Sequence, residues 1–394
     1  MTPSYPINGR VRGLNCIRCG QHYETDSDVA DQGIGCPACL EQGYPASLQI
    51  DYAASPTWQI QPDSTCMKRY AAHLPYLDFP SLGEGMTPLI ALTSLAQSLG
   101  IEKLWLKNEG QNPTGSHKDR MSALAVARAA ALGRTAVVAT SSGNAGASLA
   151  AYAAAAGMRC VIIATTQISP IWAQAIKLTG AELVLTLTPL ERWQVMQRMV
   201  EQEQWYPVTN YINPPVGSNP FGVQGYKTIA YEIMEQCNPT PPTMIIIPAS
   251  RGDLLWGIGQ GLLEMEQGGV LPKRPRLAAV EPVARLSRVL AGGDYRQLFL
   301  EEAHAMTSIG GETVTYQSAA TLREWQGLAV EVTTESARAA QKSLAHSGFY
   351  VELSSAATLA GLQTLQQRGE IDGSERIVLI ATSHGYKEPP PDNA

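Results

Sequence analysis

From about residue 130 onward, short apolar runs rich in β-branched residues alternate with long alanine-rich stretches. "TAVVATSS" (135–142) leads into "NAGASLAAYAAAAG" (144–157), then "RCVIIAT" (159–165), a helical stretch and "AELVLTL" (181–187). Later come "TMIIIPAS" (243–250), "RLAAVEP" (276–282) and "RIVLIATS" (376–383). Strands that alternate with helical patterns predict βαβ units and parallel sheet. The strand runs are apolar throughout, as expected of strands covered on both faces. In such sheets ligands bind outside the carboxyl ends of the strands. The loops after these runs are therefore where chemistry is expected.

The segment before this pattern reads differently. "CIRC" (Cys16, Cys19) and "CPAC" (Cys36, Cys39) are separated by 16 residues, and "GQHYETDSDVADQGIG" between them is too polar to fold on a core of its own. Two C-x2-C knuckles at this spacing predict a zinc ribbon, with four thiolates closing a tetrahedral, structural site. The alternative is a ribbon fold that has lost its metal. Cys66, Cys160 and Cys237 are scattered and read as small buried apolar residues.

Composition narrows the class. The chain has 394 residues, 44% hydrophobic and 16% charged, so it reads as globular and long enough for more than one domain. A net charge of -6 argues against a nucleic-acid partner. The start shows no apolar signal-peptide region, and "ASLAAYAAAAG" is too short for the ~20 residues of a membrane helix. A soluble cytoplasmic protein with no membrane partner is expected. "KEPPPDNA" (387–394) reads as a short disordered tail.

Three strand-end loops carry candidate chemistry. "SSGNAGAS" (141–148) is small, hydroxyl-rich and opens a helix, so it suits an anion at a helix N-terminus. It half-matches G-x-G-x-x-G and lacks the acidic residue that a dinucleotide site needs, which argues against that ligand. "SRGDLLWGIGQG" (250–261) is a second candidate anion site, and "TSHGYKEP" (382–389) offers hydroxyls. Lys118, in "NPTGSHKDR" (112–120), stands at the mouth of an alanine-rich helix. A phosphate, an aromatic ring with polar edges and a lysine together suggest pyridoxal phosphate, whose aldehyde a lysine holds as a Schiff base.

"SLGEGMTPL" (81–89), "LKNEGQNPTGSHKDR" (106–120), "SSGNAGAS", "GYKTIAYEI" (225–233), "VELSSAATLAGL" (351–362) and "TSHGYKEP" follow one another in that order. With them the chain resembles the threonine synthase family of fold-type II pyridoxal-phosphate enzymes, over about residues 14–390. The resemblance implies an α/β fold of two open, mostly parallel domains with the tryptophan synthase β-like architecture, behind a zinc-ribbon-like segment. The expected boundaries are 1–51 for the ribbon, 52–119 with 211–394 for the large cofactor domain, and 120–210 for the small one. It also implies roles. Lys118 matches the Schiff-base lysine, and Asn144 matches the asparagine on the cofactor's 3′-oxygen. Ser141 and Ser142 match the substrate α-carboxylate loop. Thr382 matches the hydroxyl beside the pyridine nitrogen, which it leaves largely unprotonated because it supplies no negative charge. Ser250, Arg251 and Gly252 fall where the cofactor phosphate is held. The freed lysine would remove the substrate α-proton. A homodimer and a structural zinc are also expected.

Three positions depart from the family pattern. His117 replaces the usual phenylalanine, and packing alone would account for it. The turn at Ser250–Asp253 is one residue shorter than usual, and Asp253 would repel a phosphate that Arg251 could attract. Glu182 stands where relatives often show a base, and Lys107 and Arg120 remain as candidate cations for a substrate phosphate. The expected reaction is threonine synthase-like, O-phosphohomoserine and water giving threonine and phosphate. The alternative is a paralogue performing β-replacement or β-elimination: cysteate synthase-like, a specialised-metabolism amino-acid synthase, or a threonine/serine ammonia-lyase. A catalytically dead interaction protein is the remote third reading. If Glu182 faces the substrate, O-phosphohomoserine should turn over poorly.

Overall fold

A computed structural model describes residues 5–53, 58–271, 273–300 and 303–388; the end of the expected tail, 389–394, lies outside the described residues. In chain order the strands are β1 (Val11–Cys16), β2 (His22–Tyr23), β3 (Leu48–Tyr52), β4 (Leu89–Ala91), β5 (Lys103–Asn108), β6 (Ala136–Thr140), β7 (Arg159–Thr165), β8 (Glu182–Thr186), β9 (Tyr206–Pro207), β10 (Met244–Pro248), β11 (Arg276–Glu281), β12 (Leu328–Glu331) and β13 (Arg376–Ala381). The helices that matter for function are α1 (Lys118–Ala131), α2 (Asn144–Ala155), α3 (Pro170–Leu178), α4 (Pro189–Glu203), α5 (Asp253–Gln267), α6 (Tyr316–Glu324) and α7 (Leu353–Gln367).

The chain forms two compact units, one from the residues up to Gly85 with Lys118–Thr228, the other from Met86–His117 with Ile229 onward. In the first, β2-β1-β3 is a small antiparallel sheet and β8-β7-β6-β9 a parallel one. In the second, the order is β12-β11-β10-β13-β5-β4, parallel except where β4 pairs antiparallel with β5. The apolar runs are strands for the reason expected: β6, β10 and all of β11 and β13 beyond their first residue are buried, so no face is left for polar alternation.

The ribbon segment and residues 58–85 group with the small parallel sheet. The physical reason is polar as much as apolar. Asp31 is buried and takes a two-pronged contact from Arg128 of α1, at 2.9 and 2.6 Å, with the Tyr206 hydroxyl donating to it at 3.1 Å. Glu84, of the "SLGEGMTPL" motif, accepts from Tyr152 of α2 at 2.7 Å and from the Leu82 amide at 3.0 Å. Burial holds the Glu84 carboxyl above the usual carboxylate range. Among the described residues, no helix is long and apolar enough to cross a membrane.

Candidate functional site

Lys118 is the first residue of α1 and Asn144 the first of α2. One turn into each helix, Ser122 and Ser148 share a hydrogen bond of 2.7 Å between their hydroxyls, with both side chains buried. α1 runs into β6, and β6 runs through the Ser141–Gly143 turn into α2. Both helices therefore start at the carboxyl end of the parallel sheet, side by side, and their first residues project from that end. Lys118 is half-buried between fully buried neighbours, Asp119 and Arg120 among them. Its Nζ donates to the Tyr226 hydroxyl at 3.2 Å, and that hydroxyl donates onward to Met121 Sδ at 3.5 Å. Tyr226 belongs to the "GYKT" motif, which pointed to the family but not to this partnership. The preceding Gly225 is required by contact: a Cβ there would lie 2.1 Å from the Arg120 carbonyl oxygen.

The turn before α2 is polar. Ser141 Oγ accepts from the amides of Gly143 and Gly146, at 3.2 and 3.0 Å. Ser142 Oγ accepts from the Thr165 amide at 3.4 Å and from Arg192 Nη1 at 3.3 Å. A serine oxygen has two lone pairs and one proton. With both lone pairs engaged, each hydroxyl has its proton left to donate, as an anion would require. Trp172 of α3 flanks the same turn, 3.9 Å from where a Gly143 Cβ would be.

In the second unit, Thr382 follows β13, is buried, and shares a 2.9 Å hydrogen bond with Ser355 of α7. Among the described residues, the hydroxyls of Ser116, which bridges to Ser383, and of Ser354, next to Ser355, are buried without a hydrogen-bond partner. Such hydroxyls suit a polar ligand edge. His117 is held through its backbone and ring: its amide donates to the Thr382 carbonyl at 3.0 Å, and Nδ1 lies 3.3 Å from the same oxygen. Ser250, Arg251 and Gly252 form the turn into α5. Ser250 donates to the Gly310 carbonyl at 2.9 Å, the Arg251 carbonyl accepts from Thr315 at 2.6 Å, and Asp253 accepts from Gln317 at 3.3 Å. Gly252 has φ +88° and a Cβ there would stand 2.3 Å from Ser318 Cβ, so this turn admits only glycine.

Two expectations about cations change. Lys107 is fully buried, and its Nζ donates to Glu232 Oε2 at 2.6 Å, the Thr87 carbonyl at 2.6 Å and Gln236 Oε1 at 3.0 Å. Three protons meet three acceptors within the protein, so Lys107 is a core ion pair and not a substrate ligand. Arg120 is likewise fully buried, donating to Thr228 at 2.8 Å. Glu182 opens β8, at the amino end of the sheet, where its exposed carboxylate pairs with Arg159 at 2.7 Å. It lies at the end of the sheet opposite the Ser141–Asn144 turn, and the repulsion argued for it is removed.

Sequence reasoning also missed Arg192, fourth residue of α4. The signal was present: "TPLER" after a strand run is a capped helix start, which puts its first turn at the carboxyl end of the sheet.

The four cysteine sulfurs lie within 4.8 Å of one another. Cys16 and Cys39 are 3.6 Å apart and Cys19 and Cys36 3.8 Å. Sulfurs around one zinc at about 2.3 Å stand about 3.8 Å apart in a tetrahedron, so the cluster could hold such an ion. The Gln21 amide, ahead of weaker contributions, brings the Cys19 thiol down to about 7.

Comparison with known proteins gives this geometry a context. The family described as "Pyridoxal-phosphate dependent enzyme" matches residues 80–383. Threonine synthase of Methanocaldococcus jannaschii is 33% identical over 385 residues, 95% of this chain and 92% of that protein. Threonine synthase of Methanosarcina acetivorans is 31% identical over 386 residues, with the same coverage of 95% and 92%. Among solved structures, diaminopropionate ammonia lyase from Escherichia coli matches with a TM-score of 0.68 at 19% identity, covering 84% of this chain and 91% of that one. O-ureido-L-serine synthase matches with a TM-score of 0.63 at 22% identity, covering 76% and 90%. At these identities the structures speak for the fold alone.

Proposed function

Because this chain belongs to the pyridoxal-phosphate-dependent enzymes and, among them, to the threonine synthase family, we propose that it converts O-phosphohomoserine and water into threonine and phosphate. It is a pyridoxal-phosphate-dependent lyase of fold type II; the substrate is the step beyond that. The observation that carries the reading is the carboxyl end of the small parallel sheet, where Lys118 and Asn144 open neighbouring helices beside two serine hydroxyls set to donate. Glu182, paired with Arg159 at the opposite end of that sheet, does not oppose a phosphorylated substrate there.

The polar groups described on each unit, taken by itself, support this reading of the cofactor. Lys118 would hold its aldehyde and Asn144 its ring oxygen; Thr382 would meet its nitrogen, and Ser250, Arg251 and Gly252 its phosphate. When bound, pyridoxal phosphate supplies an electron sink for negative charge at the substrate α-carbon. The chain's own part is acid–base and positional. Lys118 takes and returns protons at the substrate carbons, the Tyr226 hydroxyl steadies its amine, and Ser141 and Ser142 donate to the α-carboxylate. Asp253 opposes the anion at the start of α5, and Arg251 offsets it. A homodimer and a zinc on Cys16, Cys19, Cys36 and Cys39 complete the proposal.

Steady-state kinetics with O-phosphohomoserine, O-phosphoserine and threonine test the reading. Stoichiometric release of threonine and phosphate from O-phosphohomoserine is expected. Turnover of O-phosphoserine or threonine alone would replace it with β-replacement or β-elimination chemistry.

A further inference from the structure

Arg192 stands 50 residues from Ser142 in sequence, yet its guanidinium reaches that hydroxyl at the carboxyl end of the sheet. The approach is built in. Thr188 caps α4 by accepting from the Glu191 amide at 3.2 Å, while Glu191 accepts from the Leu187 amide at 2.8 Å. These two bonds fix the first turn, and Arg192 leaves from it. Thr186, which ends β8, donates to the carbonyls of Ala164 and Thr188, at 3.3 and 3.2 Å, tying the start of the helix to β7.

The consequence for Ser142 is chemical. A hydroxyl whose oxygen accepts from a cation is a stronger donor through its remaining proton, because each bond polarises the next. Arg192 and the Thr165 amide occupy both lone pairs of Ser142 Oγ. The oxygen then has no acceptor position left, and its proton is available to an anion at the turn. Ser141 reaches the same state through two backbone amides and has no cation behind it. The two hydroxyls each accept two hydrogen bonds and differ in electrostatic backing.

We propose that Arg192 is a positioning residue for substrate: acting through Ser142, it orients and strengthens the hydroxyl that receives the α-carboxylate. This rests on the reading of the Ser141–Asn144 turn as the carboxylate site, and does not depend on which leaving group the substrate carries. Its weight should fall on binding. An interaction made equally in ground and transition states raises KM when it is lost and leaves kcat almost unchanged.

The test is equilibrium binding to the holoenzyme, read as the change in the visible absorbance of the bound cofactor. L-threonine and threoninol, which lacks the carboxylate, are titrated against wild type, Arg192→Gln, Arg192→Lys, Ser142→Ala and the Arg192→Gln/Ser142→Ala double variant. Arg192→Gln should weaken L-threonine about tenfold, the scale of one charge-assisted hydrogen bond, with threoninol unchanged and cofactor content intact. Arg192→Lys should recover part of the loss. The double variant should be little worse than Ser142→Ala, since the arginine acts through that serine. Equal weakening of threoninol, additive losses in the double variant, or weakening of O-phosphohomoserine alone would each overturn the proposal. Absence of threonine synthesis from O-phosphohomoserine, with the L-threonine effect intact, would instead refute only the proposed reaction.

Discussion

Removing one side of the Lys107–Glu232 pair should be far more damaging than removing both. Both side chains are fully inaccessible, and Glu232 also accepts the Met86 amide at 2.9 Å through its other oxygen. Glu232→Gln keeps the shape but removes the negative charge opposite the buried ammonium, which then faces neutral acceptors such as the Thr87 carbonyl and the Gln236 oxygen. Breaking a buried pair from one side costs about 3–5 kcal/mol, whereas replacing both members by apolar residues is often near neutral. At roughly 2–4 °C per kcal/mol for a domain of this size, Glu232→Gln should melt about 6–20 °C lower. Lys107→Met/Glu232→Leu should recover most of that loss, less a contribution from the stranded Met86 amide of about 1–3 kcal/mol. The assay is thermal unfolding by circular dichroism of wild type, Glu232→Gln, Lys107→Met and Lys107→Met/Glu232→Leu, with KM measured on each folded variant. A Lys107→Met protein that melts like wild type but binds substrate ten times more weakly would refute the reasoning and return Lys107 to the substrate.

Lys118→Ala should be colourless and inactive beside a yellow wild type, and borohydride treatment followed by peptide mapping should find the cofactor on Lys118. Chelation of the reduced protein should release about one zinc and open the Cys16–Cys39 segment to proteolysis while the visible cofactor absorbance persists, because a four-thiolate site has no open position for chemistry; metal analysis finding no zinc would refute this. Burial and the nearby Glu352 push Glu388 up to about 7, so the native state holds a proton that the unfolded chain gives up near its ordinary value. The stability this confers is complete at low pH and lost as pH rises through about 7. Glu388→Gln should therefore match wild type near pH 5 and melt higher at pH 8, and melting curves across that range check it.

The chain's periodicity determined the strand–helix alternation and the parallel sheets, because strands buried on both faces must be apolar throughout. The cysteine spacing located a four-sulfur cluster that could hold a metal ion, since two knuckles bring four sulfurs together. "NPTGSHKDR" and "SSGNAGAS" were legible for a similar reason: each is a local turn opening a helix, with its chemistry set within a few residues. What the tertiary structure decided was the partner of each charge. Lys107 and Glu232 are 125 residues apart and meet only when the chain folds; linear order gives no sign that the lysine is neutralised there. Arg120 is spent in the core on Thr228, a partner 108 residues away. Glu182 and Arg192 sit ten residues apart on either side of one strand-to-helix turn, yet the first faces Arg159 at the amino end of the sheet and the second reaches Ser142 at the carboxyl end. Electrostatic roles depend on distances of a few ångströms across segments remote in sequence, and packing alone sets those distances.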